Sequence, residues 1–432
     1  MSDTIAAVAT PFGPGAIAVL RVSGTSAHTV AARTLIRGDQ TGIPVRKVVR
    51  AQVGNSDGTI LDDVLVTFFR GPASYTGEDT VEISCHGGVL VTQRILERLI
   101  DCGARAAQAG EFSLRAFLNG KMDLTQAEAV MDVISAQTDL ALRAAQQQLA
   151  GRLGAVTDNL RAELIEIVAH VEAHIDFPEE DIDPQTGATL VTQLEECDAR
   201  IASLLATAEQ GRILREGVRT VIYGEPNVGK SSLLNVLLGY ERAIVSSVAG
   251  TTRDTVEEVV NLAGIPVRLI DTAGVRRARD EIERHGVERT HRKLREADLV
   301  LEVVDASRRR QPGLTAEDLA GRHYIRVLNK VDRGEHPGWT REPGVRISCT
   351  SRTGVETLLE AIRTELSLGV ESWGQEAVAV NARHQACLRR ARTALADAKR
   401  SLSSGESAEF GALELREALE AIGEIAGRVE TE

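Results

Sequence analysis

The stretch VIYGEPNVGKSSLLNVLLG (221–239) joins an apolar run to a helical one through the spacing G-x-x-x-x-G-K-S. Gly224 and Gly229 let backbone N–H groups approach phosphates. Lys230 reaches the β- and γ-phosphates, and Ser231 offers its hydroxyl to Mg²⁺. Two tetrapeptides follow in order. DTAG, Asp271 to Gly274, ends the run VRLI; its Asp supports Mg²⁺ through water and its Gly N–H meets the γ-phosphate. NKVD, with Asn329, Lys330, Val331 and Asp332, ends the run YIRVL. A carboxylate at Asp332 accepts from both the ring N–H and the exocyclic amine of guanine. Adenine presents no such donor pair, so this order selects GTP over ATP. TSR (Thr350, Ser351, Arg352) follows the next strand-like run and is expected to back the base through main-chain atoms, although SCTSRTG permits more than one register. In IVSSVAGTTRDTVEE, Thr251 and Thr252 are both candidates to complete the Mg²⁺ shell. A Ras-type hydrolase places a Gln directly after DTAG to orient the attacking water. Here the residue is Val275, whose side chain neither donates nor accepts a hydrogen bond.

The elements that must hold these residues are legible as texture. Residues 1–120 are Gly-rich, with strand-like runs AIAVLRVSG, DDVLVTFF and DTVEISCHGG beside the helical VLVTQRILERLIDCG, which predicts an α+β domain. Residues 121–216 and 376–432 are Ala-, Leu- and Glu-rich, with apolar residues at helical spacing. Between them, residues 217–375 alternate strand-like and helical runs in the rhythm of a mostly parallel α/β sheet with helices on both faces. The economical reading is one helical bundle with a domain inserted in it; two independent helical domains are the alternative.

Composition narrows the class. The 432 residues are 43 % hydrophobic, 26 % charged and only 3 % aromatic, so the cores must rest on aliphatic side chains. Cys85, Cys102, Cys197, Cys349 and Cys387 form no CxxC pair, which argues against a disulfide framework or a zinc site and fits a reducing cytosol. With no signal-peptide pattern and no long apolar run, a cytoplasmic protein is expected, with no membrane. The net charge of −12 means that any RNA contact is local, weak or supplied by a partner.

The series GxPNxGKSSLLN, AGTTRD, DTAG and NKxD resembles the translation-factor class of GTPases that includes Era, Der and MnmE. The flanks ATPFGPGAIAVLRVSG, SYTGEDTVEISCHGG, AGEFSLRAFLNGKMDLTQAEAV and HIDFPEED resemble the MnmE (TrmE) family of tRNA uridine-34 modification GTPases, across essentially the whole chain. The resemblance implies a multidomain fold: an α+β N-terminal folate-binding and dimerisation domain, an α-helical bundle, and an inserted α/β P-loop GTPase (G) domain.

Nucleotide contacts implied by the resemblance are Asn227, Val228, Gly229, Lys230, Ser231 and Ser232; Ser246, Ser247, Val248, Ala249, Gly250, Thr251 and Thr252; Asp271, Thr272, Ala273 and Gly274; Asn329, Lys330, Val331 and Asp332; and Thr350, Ser351 and Arg352. It assigns Mg²⁺ to Ser231 and Thr252, and K⁺ to Asn227, Ser246, Val248 and Thr251. A glutamate downstream of DTAG orients the water in the family; the matching residue is Glu283, with Glu281 as the neighbouring rival. Arg21, Glu82 and Lys121 match the family's site for 5-formyl- or 5,10-methylene-tetrahydrofolate. On the residues alone, Arg21 and Glu82 read as a strand salt bridge.

The implied partners are a second copy of the chain, through the N-terminal domain, and the FAD protein MnmG (GidA) in a heterotetramer. FAD belongs to that partner, which carries most of the tRNA contact. The family ends in a Cys-x-Gly-Lys tail tied to the modification chemistry, whereas this sequence stops at AGRVETE; GTP hydrolysis is expected to be independent of the tail. The alternative function is a GTP-gated ribosome-assembly factor of the Era or Der kind. That class predicts an RNA-binding appendage or a second G domain, and the sequence carries neither pattern.

Overall fold

Alternation of apolar and polar side chains builds the first sheet. The computed structural model describes residues 3–37, 44–176, 184–239, 258–262, 264–270, 294–309, 313–366, 379–404 and 408–428. The chain forms two compact units, Met1–Ala127 and Glu128–Glu432.

In the first unit the elements run β1 (Ile5–Val8), β2 (Ile17–Ser23), α1 (Ala27–Thr34), β3 (Leu35–Arg37), β4 (Val48–Gly54), β5 (Ile60–Phe69), β6 (Thr80–His86), α2 (Val89–Asp101), β7 (Arg105–Ala106) and α3 (Glu111–Leu118). The sheet order is β3-β4-β5-β6-β2-β1-β7. Its pairs are antiparallel except β1 with β7. Leu20 and Val22 of β2, Val64 and Val66 of β5, and Val81 and Ile83 of β6 turn inward against Ile95 and Leu99 of α2. The opposite phase of β2 and β6 sets Arg21 directly across from Glu82. A one-residue slip would turn these charges into the core.

From α4 (Leu124–Ser135) the chain becomes helical: α5 (Asp139–Leu149), α6 (Arg152–Asp176), α7 (Pro184–Ala206) and α8 (Ala208–Glu216). A second sheet follows, with β8 (Val218–Tyr223), α9 (Lys230–Leu238), β9 (Glu258–Leu262), β10 (Ile265–Leu269), β11 (Leu299–Asp305), β12 (His323–Asn329), β13 (Val345–Arg346) and α10 (Val355–Glu365). The order is β13-β12-β11-β8-β10-β9. These pairs are parallel, apart from the β9–β10 hairpin at one edge. Leu233, Leu237, Leu358 and Ile362 of α9 and α10 cover one face against Leu299, Leu301 and Val303. On the other face Val221 and Val300 pack with Leu294, Leu314 and Leu319.

The chain then returns to helix in α11 (Ala382–Ser404) and α12 (Ala408–Ala426). Leu160, Leu164 and Ile167 of α6, Leu194 and Ile201 of α7, Leu388 and Leu395 of α11, and Leu415 and Ile422 of α12 form one core. Each such buried Leu or Ile contributes about 1.5–3 kcal/mol. Helices from both sides of the sheet therefore share one interior. The two strands of chain that lead into and out of the sheet meet at Gly211, where an added Cβ would sit 3.0 Å from Val380 N. Such closeness of termini is what insertion requires.

Candidate nucleotide site

The phosphate loop begins where β8 ends in the middle of the parallel sheet. Gly224 has φ +150°, and a Cβ there would fall 2.2 Å from Val303 O. Gly229, at φ +106°, would push a Cβ to 2.2 Å from Asn329 Nδ2. Both positions need glycine for conformation and for space. Gly229 is the N-cap of α9, so the loop leads directly into the positive end of a helix, where an anion is stabilised. Lys230 Nζ lies over the loop and donates to Gly224 O and Glu225 O, each at 2.6 Å. Burial pulls its ammonium below the ordinary lysine range, with Glu225 opposing.

Asn329, 1 % exposed, links three loops. Its Nδ2 donates to Val228 O at 2.9 Å, and its Oδ1 accepts from Cys349 N at 3.2 Å. Lys330 is held in the left-handed region at φ 67° and donates from Nζ to Asn227 O and to Asp305 Oδ2, each at 2.7 Å. Val331–Arg333 form a short 3₁₀ turn on which Asp332 is exposed. Thr350, Ser351 and Arg352 are exposed in the turn after β13, where Ser351 N donates to Ser348 Oγ at 3.2 Å. The loops after β8, β11, β12 and β13 thus gather at the carboxyl ends of parallel strands, where open α/β sheets bind their ligands.

Of the residues singled out in the sequence, the structure brings Asn227, Val228, Gly229, Lys230, Asn329 and Lys330 together, with Ser231 and Ser232 exposed in the first turn of α9. Ser246, Ser247, Val248, Ala249, Gly250, Thr251, Thr252, Asp271, Thr272, Ala273, Gly274, Glu281 and Glu283 lie outside the described residues. Asp305 escaped the sequence reading. Its one signal was a carboxylate closing the apolar run ADLVLEVVD, the station that Asn329 holds on the neighbouring strand.

In the first unit, Arg21 donates from Nη2 to Glu82 Oε1 at 2.8 Å and from Nε at 3.0 Å. This is the strand salt bridge expected from the residues alone. Two aromatic residues that the sequence did not single out flank the guanidinium: Tyr75, 4.6 Å away, and Phe112, 5.6 Å away. Lys121 lies beside Gly77, its Cγ 3.2 Å from where a Cβ would be.

Residues 4–121 match the family described as GTP-binding protein TrmE N-terminus, and residues 124–432 match the MnmE helical domain. A protein of Akkermansia muciniphila named tRNA modification GTPase MnmE is 54 % identical over 430 residues, covering 99 % of this chain and 96 % of that protein. Proteins of the same name from Geobacter sulfurreducens and Chloroflexus aurantiacus are 45 % and 46 % identical, each across 99 % of this chain and across 95 % and 96 % of their own lengths. With both of its flanking regions matched and full-length relatives at this identity, the chain belongs to the MnmE family.

Proposed function

We propose that this chain is a K⁺- and Mg²⁺-dependent GTPase. With the FAD protein MnmG (GidA), its cycle drives addition of an aminomethyl or carboxymethylaminomethyl group to C5 of the wobble uridine-34 of tRNA. The observation that carries the nucleotide part is the Asn329 side chain, which spans the phosphate loop and the amide of Cys349. It ties the guanine-reading turn to the phosphate-binding helix in one site. Full-length similarity to proteins named tRNA modification GTPase supports the tRNA part.

The amides of the Gly224–Lys230 loop and the Lys230 ammonium bind the β- and γ-phosphates, and Asp332 reads guanine. Water attacks the γ-phosphorus, the bond from that phosphorus to the β–γ bridging oxygen breaks, GDP leaves, and the water's proton passes to phosphate or solvent. Val275 has no group to hold that water; by its match to the family's glutamate, Glu283 is proposed to hold it through a second water. Ser231 and Asn227 present exposed oxygen donors, which suit hard cations. Ser231 and Thr252 would hold Mg²⁺, and Asn227, Ser246, Val248 and Thr251 would hold K⁺. These cations supply charge compensation on the phosphates.

The Arg21–Glu82 pair, 22 % and 30 % exposed, offers donors and an acceptor suited to a pterin edge. Lys121 offers a charge for a carboxylate, and the rings of Tyr75 and Phe112 support a flat ligand there. A 5-formyl- or 5,10-methylene-tetrahydrofolate is the proposed occupant. Homodimerisation through the N-terminal domain and a cytoplasmic location complete the reading; among the described residues no helix is long and apolar enough to cross a membrane.

The test is turnover by the purified chain in KCl and MgCl₂. GTP is hydrolysed and ATP is not; equal rates sink the guanine assignment. Glu283→Ala binds GTP without hydrolysing it, and an undiminished turnover transfers the role, with Glu281 next to try. In cells whose own family member is deleted, this gene restores modified uridine-34; unmodified tRNA overturns the modification role.

A further inference from the structure

We propose that Asp305 is a positioning residue for the nucleotide. It holds Lys330 across the phosphate loop, so that the base-side turn and the loop are set before the ligand arrives. The inference rests on the reading of this site as a GTP site.

β11 ends at Asp305, paired in register with Asn329 of β12. The Asp305 side chain is 4 % exposed, and a buried carboxylate is costly unless partnered. Its Oδ1 accepts from Ser307 N at 3.1 Å and Ser307 Oγ at 2.6 Å. Its Oδ2 accepts from Lys330 Nζ at 2.7 Å, with Arg308 Nε at 3.5 Å. The same ammonium reaches Asn227 O at 2.7 Å. Lys330 and Asn227 sit at φ 67° and 66°, a region that residues with a Cβ rarely occupy and that surrounding contacts must enforce. The Asp305–Lys330–Asn227 chain supplies such contacts at both positions. Burial pushes the Asp305 carboxyl up, but hydrogen bonds from Lys330 and Ser307 hold it below the ordinary carboxylate value, so it stays charged at neutral pH. A long, flexible lysine loses much rotamer freedom when ordered. Held by Asp305, it does so during folding rather than during binding.

The rival role for Asp305 is purely architectural, as the acceptor that shapes the turn at Ser307. Asp305→Asn separates the two, because an asparagine oxygen still accepts from Ser307 while the charge facing Lys330 is gone. Release of a fluorescent N-methylanthraniloyl GDP is measured for the full chain, Asp305→Asn, Lys330→Met and the double variant. Lys330→Met keeps the aliphatic stem and removes the ammonium. Asp305→Asn is expected to release the nucleotide about tenfold faster, Lys330→Met at least as fast, and the double variant no faster than Lys330→Met. In steady-state hydrolysis the Asp305→Asn defect lies in KM rather than in kcat. Wild-type release by Asp305→Asn, or effects that multiply in the double variant, overturn the proposal. Should Asp305→Asn fail to fold, the smaller Asp305→Ser, whose hydroxyl can still accept beside Ser307, takes its place: accelerated release supports the pair and wild-type release overturns it. If the unmodified chain holds the adenine analogue as tightly as the guanine one, the GTP-site reading itself has failed.

Discussion

Asn329 closes strand β12 and Val228 sits in the phosphate loop about a hundred residues before it, and one hydrogen bond of 2.9 Å from Nδ2 to O joins them. Asn329→Ala removes that donor and also the acceptor of Cys349 N. The buried Val228 carbonyl loses its partner at about 1–3 kcal/mol, and the half-buried Cys349 amide loses one at a smaller cost. The expected outcome is a lower melting temperature and GDP affinity reduced at least tenfold, on the order of 1.4 kcal/mol. Titration with a fluorescent GDP analogue checks this; full affinity would show that the two loops hold their geometry without the asparagine.

Glu111, which is 7 % exposed, is expected to make the first unit sensitive to acid. It accepts from Arg105 Nη2 at 2.7 Å, Gln108 N at 2.8 Å and Arg115 Nη2 at 3.1 Å. The Arg105 hydrogen bond leads in bringing its carboxyl from 4.5 down to about 2, against burial. A depressed carboxylate stabilises the fold above its unfolded pKa, and that contribution is lost as pH falls through the folded value. The window is therefore about pH 4.5 down to about 2. Glu111→Gln should be less stable than wild type at neutral pH and lose less stability across that window. Circular dichroism of acid unfolding reads it, and parallel curves for the two proteins would show that Glu111 does not carry the dependence.

How much of this was legible depended on the range of the interaction. G-x-x-x-x-G-K-S is a local pattern, so strand, loop and helix could be placed around Gly224 and Lys230 from sequence alone. The periodicity of α6 and α12 showed that both were helices. It could not show that Leu164 and Ile422 share a core, because the partner of an apolar stripe is set by tertiary packing. Asp305 was invisible for the same reason. Its partner Lys330 is 25 residues away, and a strand-ending aspartate has no signature of its own. Arg21 and Glu82, opposite charges in two strand-like runs, could be read as a strand salt bridge, but Tyr75 and Phe112 come from a loop and a helix that no periodicity links to β2.

Arg21 separates the proposed folate site from the nucleotide site. Arg21→Ala leaves Glu82 without that partner, but the pair is partly exposed, so the stability change should be small, about 0–1 kcal/mol. Binding of 5-formyl-tetrahydrofolate should weaken sharply, while GTP turnover stays at the wild-type rate because the nucleotide site lies in the other unit. Calorimetry showing unaltered folate affinity would move the ligand elsewhere.

The K⁺ assignment yields the final expectation. An arginine finger or a glutamine can compensate transition-state charge and hold the water in other GTPases, and Val275 can do neither. Asn227 holds a left-handed φ of 66° and is exposed on the phosphate loop, the place proposed for the cation. The proposed K⁺ ligands are Asn227, Ser246, Val248 and Thr251, and oxygen ligands that suit K⁺ would hold the smaller Na⁺ less well. Turnover at fixed Mg²⁺ and ionic strength should therefore rise on the order of tenfold or more in KCl over NaCl, the scale of a preorganised charge contact. Asn227→Ala should abolish the difference between the two salts. Equal rates in KCl and NaCl for the wild-type protein would remove K⁺ from the mechanism and leave the charge compensation to a protein group.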